Sequence, residues 1–100
     1  MNFGDFWKRM ISDLTNSKNM HTIVQRKPFE VAYRNGIILI TPSSFIERKI
    51  PQEQFLKVWQ MAKTFSTEQQ FVRQNYHTIT LNGSYILALM KKYLDDEKIQ

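Results

Sequence analysis

Apolar side chains recur at helical intervals in three stretches of the chain, and between the first and second of these they alternate as strands do. Phe3, Phe6, Trp7, Met10, Ile11 and Leu14 keep the i, i+3, i+4, i+7 spacing of a single helical face. They predict a first helix, stopped by the turn-forming run Thr15-Asn16-Ser17-Lys18-Asn19. The β-branched residues Thr22, Ile23 and Val24 then suggest a strand from Met20 to Gln25, closed before Pro28, which cannot donate to a ladder. The strongest local signal follows. Phe29 to Arg34 and Ile37 to Thr41 flank Asn35-Gly36, a pair that accepts the positive φ angles of a two-residue type I′ turn.

That turn fixes a register in which Arg34 faces Ile37, Tyr33 faces Ile38, Ala32 faces Leu39, Val31 faces Ile40 and Glu30 faces Thr41. One face of the hairpin then carries Phe29, Val31, Tyr33, Ile38 and Ile40, and the other carries Ala32, Ile37 and Leu39 between Glu30 and Arg34. Neither face is fully polar, so both are expected to be covered. Phe45 to Ile50 reads as a short strand or an extended connector. Pro51 suits the start of a helix striped by Phe55, Val58, Trp59 and Ala62. Ser66-Thr67-Glu68-Gln69 has the form of a capping box opening a third helix that runs to about Tyr76. Ser84 caps a last helix whose buried face is Tyr85, Ile86, Leu89, Met90, Tyr93 and Leu94, with Lys91 and Lys92 in its final turns. The expected architecture is an α+β domain over residues 1–100. An N-terminal helix precedes an antiparallel meander of three or four strands, which packs with three C-terminal helices.

Composition narrows the chemistry. At 100 residues the chain has room for one core, and 42% hydrophobic residues make that core affordable without cross-links. There are no cysteines, hence no disulfides, thiolate metal sites or cysteine nucleophile. The two histidines, His21 and His77, have no partner at metal-ligand spacing, Ser43 and Ser44 are not in a nucleophile elbow, and Gly4, Gly36 and Gly83 stand apart rather than in a phosphate loop. Asp95-Asp96-Glu97 reads as a solvated tail, paired in part with Lys91 and Lys92. No catalytic site, metal or cofactor is expected. No apolar run approaches a bilayer-spanning length and the first ten residues do not resemble a secretion signal, so a cytoplasmic chain with no membrane partner is expected.

Fourteen basic against nine acidic residues give a net charge of +5, most of it in the first half of the chain. A positive field of this size attracts phosphate backbones or acidic surfaces, and it also serves solubility. Two functional readings follow. The first is a non-catalytic binding or assembly module that associates with copies of itself, because the apolar stripes exceed what one side of a small sheet hides. Its contact residues are Ala32, Ile37 and Leu39 on the second hairpin face, or Phe3, Phe6 and Trp7 on the first helix. A first helix folded over that face would remove the need for a partner. The alternative is a small nucleic-acid-binding protein using Arg26, Lys27, Arg34, Arg48 and Lys49, with Arg34, Arg48 and Lys49 on phosphates. A small-molecule binder or an enzyme with a hidden acid such as Tyr76 or His77 ranks behind both.

Overall fold

In a computed structural model, residues 1–94 and 99 are described; the Asp95-Asp96-Glu97 tail lies outside them. The order is α1 (Phe3–Asp13), β1 (Lys18–His21), β2 (Pro28–Arg34), β3 (Ile37–Pro42), β4 (Arg48–Pro51), α2 (Gln52–Ala62) and α3 (Gly83–Tyr93). Two 3-10 turns, Thr67–Gln69 and Arg73–Tyr76, join α2 to α3. The strands lie in sequence order in one antiparallel sheet, β1-β2-β3-β4. The α+β class and the meander are thus as the pattern predicts, and so is the hairpin register, pair for pair. Asn35 (φ 52) and Gly36 (φ 82) take the left-handed backbone that the tight turn demands.

Hydrogen bonding overrides propensity at three places. The first strand forms earlier than Met20–Gln25, because Thr22 closes a loop: its N–H donates to the Lys27 carbonyl and its hydroxyl accepts from the Lys27 N–H, both at 2.9 Å. Met20 then pairs with Phe29, and Thr22-Ile23-Val24 leave the ladder. The expected third helix becomes the two 3-10 turns. Ser66 makes no side-chain capping bond, and the buried Gln70 instead donates to the carbonyl of Ala62, folding this segment back on the end of α2. Tyr76 closes the loop by donating to the Gln70 carbonyl at 2.7 Å. The last helix begins at Gly83 with Asn82, not Ser84, at its cap position, and the Asn82 side chain bonds Arg48 and Gln54 rather than the helix's own backbone.

All three α-helices pack on the same face of the sheet. Trp7 meets the Tyr33 ring edge-on, Phe29 meets Tyr85, and Phe6, Phe55 and Trp59 stack between α1 and α2. Val31, Ile38, Ile40 and Ile50 from the sheet, and Ile86, Leu89 and Met90 from α3, are fully or almost fully buried in the resulting cluster, which Ile99 joins. The opposite face has no helix on it among the described residues.

Adjacent residues of β3 should therefore respond very differently to truncation. Ile40→Ala opens a cavity in the sealed layer and should cost about 2 to 5 kcal/mol, whereas Leu39→Ala on the open face should cost under about 1 kcal/mol. Chemical denaturation at low protein concentration measures both.

Candidate functional site

The two histidines stand apart, one at a strand end and one directly after the second 3-10 turn. His21 is exposed at the end of β1, and His77 is exposed with Nδ1 at 2.6 Å from the Gln74 carbonyl. Among the described residues, no three His, Asp or Glu side chains converge as a metal site would require. A cleft of about 190 Å³ lies between the β1–β2 loop, Phe71 to Gln74 and the first turns of α3, below the few hundred Å³ usual for small-molecule sites. A larger and more open depression of about 550 Å³ is lined by Gln54, Lys57, His77 and Thr80.

The groups with shifted proton affinity are structural. The Tyr93 phenol donates to Asp13 Oδ2 at 2.6 Å. That bond, opposed by partial burial and helped by the Lys18 ammonium at 3.6 Å, holds the Asp13 carboxyl below its ordinary range. Burial first, and the Asp13 carboxylate second, push the Tyr93 phenol well above its ordinary value. Burial alone raises Tyr76 to about 12. These contacts fasten the end of α1 to the end of α3 and the 3-10 segment to α2.

The candidate contact residues divide. Phe6 and Trp7 are inside the core, and Phe3 is half-buried in the same aromatic cluster, stacked near Trp7 and edge-on to Trp59, so α1 offers no apolar face to a partner. Nor does α1 cover the second hairpin face. There Ala32 is itself buried beside half-exposed Leu39, with half-exposed Ile37 opposite Arg34 and exposed Glu30 opposite Thr41. Lys49, paired with Leu39, extends this face across β4.

The five basic residues do not form one track. Arg34 lies at the hairpin-turn end, where its guanidinium donates to the Thr15 carbonyl at 2.9 Å and reaches the Leu14 carbonyl at 3.5 Å, closing the C-terminal end of α1. Arg48 turns toward the helices, donating to Asn82 Oδ1 at 3.1 Å and lying 5.5 Å from the Tyr85 ring centre. Lys49 points to the open face, and exposed Arg26 and Lys27 occupy the β1–β2 loop.

Sequence reasoning missed a different grouping. The exposed large hydrophobics Val24, Phe45, Ile46 and Leu81 all sit on loops at the end of the sheet opposite the Asn35-Gly36 turn. Val24 is in the β1–β2 loop, Phe45 and Ile46 in the β3–β4 loop, and Leu81 directly precedes the Asn82 that Arg48 bonds. Phe45 takes a left-handed backbone (φ 63), as does Arg26 (φ 57) in the neighbouring loop. The turn-forming Pro42-Ser43-Ser44 was the available signal that Phe45 would leave the sheet. No family model matches the chain, and comparison with curated proteins and with solved structures gives no match either.

The Asp13–Tyr93 bond has a pH signature. A carboxyl with a lowered folded pKa contributes stability above its unfolded value of about 4, and loses it as pH falls through the folded value. The stability advantage of the native chain over Tyr93→Phe should therefore be full near neutrality and shrink in acid below about pH 4, read from thermal melts across pH. Raised phenols act oppositely. Stability owed to keeping Tyr76 protonated is complete below about pH 10 and should be lost as pH rises from there towards about 12.

Proposed function

We propose that this chain is a non-catalytic assembly module that associates with a second copy of itself through the helix-free face of its sheet. The observation that carries this reading is the one-sided packing: α1, α2 and α3 all take the same face and leave Ile37 and Leu39 half-exposed on the other, around a small Ala32 that its neighbours already bury. Apolar groups in the centre of a sheet, ringed by charges, have the anatomy of a contact surface.

The charges of β2 on that face complement one another across two copies, whereas Lys49, level with Leu39 on the edge strand β4, meets its own counterpart. A two-fold axis running across the strands at the level of the Ala32–Leu39 pair sets Leu39 on the second copy's Leu39. The same axis places each Glu30 over the second copy's Arg34, since these two residues flank Ala32 on β2 at equal distance along the strand. Sheets facing one another pack about 10 Å apart, a gap that Leu and Ile side chains from the two sides fill. With +5 on each copy, long-range repulsion opposes the encounter. Salt screens that repulsion and leaves apolar burial intact.

Light scattering on a sizing column should show a species larger than one chain that persists as salt is raised. Leu39→Glu, which puts two like charges face to face at the axis, should convert it to a monomer with a near-unchanged melting profile. A native chain that elutes as a monomer at high concentration would reject the reading. A larger species that forms only with added nucleic acid and dissolves in salt would favour the alternative instead.

A further inference from the structure

A second surface lies at the loop end of the molecule, and its chemistry differs from that of the open sheet face. The N-terminal end of α3 is its centre. The β1–β2 loop flanks it on one side, forming a cleft with Ser84 and Leu87, and the β3–β4 edge flanks it on the other, with Arg48 against Tyr85 and Asn82. The two loops leave the sheet about 10 Å apart, two strand spacings. Three separate loops therefore bring to one end the side chains Val24 (83% exposed), Phe45 (84%), Ile46 (72%) and Leu81 (84%).

Two cations stand among these tips. Arg26 and Lys27, both exposed, follow Val24, whereas Arg48 is held by Asn82 and Tyr85 and Lys49 lies at mid-sheet on the open face opposite Leu39. Phe45 is held outward by a backbone conformation that a bulky residue seldom adopts. We infer that this end docks on an anionic lipid surface, with Phe45, Ile46, Val24 and Leu81 entering the interfacial layer and Arg26 and Lys27 meeting lipid phosphates.

The residue types select this occupant. Another copy of the same end would bring cations against cations. Nucleic acid accounts for the cations and gives Phe45 a stacking partner, but aliphatic Val24, Ile46 and Leu81 have no such role on bases. Val24 borders the cleft and Leu81 the open depression, separate hollows rather than one shared pocket, and a fluid bilayer interface needs none: apolar side chains enter it individually while basic neighbours are drawn to the negative leaflet. The expectation of no membrane partner rested on the lack of a spanning segment. Among the described residues no helix is long and apolar enough to cross a membrane, and a peripheral contact requires none. Nothing in this contact depends on self-association.

The test is flotation of the full chain with vesicles of phosphatidylcholine alone and of phosphatidylcholine with phosphatidylserine. The native chain should float with the second and not the first. Phe45→Gly separates binding from folding, because glycine accepts a φ of 63 without strain. It should bind phosphatidylserine vesicles roughly tenfold more weakly while its melting temperature stays equal or rises. Ile46→Ser should act in the same direction on binding. Each of Arg26→Ser and Lys27→Ser should weaken binding by roughly fivefold. Failure of the native chain to float, or Phe45→Gly binding as well as native, would overturn the assignment. So would retention on single-stranded DNA in place of vesicles.

Discussion

Three helices of eleven residues each are enough to seal one side of a four-stranded sheet and no more. The arrangement depends on where that cover lies. Because Tyr33, Phe29, Ile38 and Ile40 receive the aromatic layer built by α1 and α2 and the apolar face of α3, each strand has a dry side and a wet side. Fully burying a large apolar side chain contributes roughly 1.5 to 3 kcal/mol, and most such groups lie on the dry side. The wet side keeps Ala32 and Leu39 at mid-strand and Ile37 beside the hairpin turn.

Polar contacts then hold the cover in place. Arg34 reaches from the hairpin to the last carbonyls of α1, Tyr93 ties α3 to Asp13 at the end of the same helix, and Arg48 reaches Asn82 in front of α3. Two of the basic side chains that a charge-based reading assigns to phosphate thus have structural partners. Arg26 and Lys27 of the loop end, by contrast, stand beside exposed apolar tips. The molecule presents two faces of different character, one a sheet face with charges of both signs and one a set of apolar loop tips with basic neighbours.

The legible parts of the sequence were those in which one strong local rule decides the outcome. Asn35-Gly36 admits one kind of turn, and the turn carries the register of both flanking strands with it. The stripes of α1, α2 and α3 are long enough for their period to be unambiguous. Thr22 defeated the pattern because a hydroxyl with a backbone N–H and carbonyl in reach outweighs β propensity, a pairing that needs Lys27 in place. Gln70 defeated it for a similar reason, since its acceptor, the Ala62 carbonyl, belongs to another element. Both hairpin faces were expected to be covered, because both carry apolar residues, yet the helices take only one of them, a choice made by elements distant in the chain. The gathering of Val24, Phe45, Ile46 and Leu81 was hidden likewise: the strand order brings them together, not their spacing.

That strand order also sets the sequence of events during assembly. Every pairing in the sheet joins neighbours along the chain, across loops of six, two and five residues, so the meander needs no distant segment to form. Such local topologies favour rapid collapse. The closing piece, α3, leaves a ribosome after all four strands, and Ile86, Leu89 and Met90 must travel back over strands finished some thirty residues earlier. A nascent chain therefore passes through an interval with its sheet complete and part of its dry side still wet, when sticking to other chains is the competing fate.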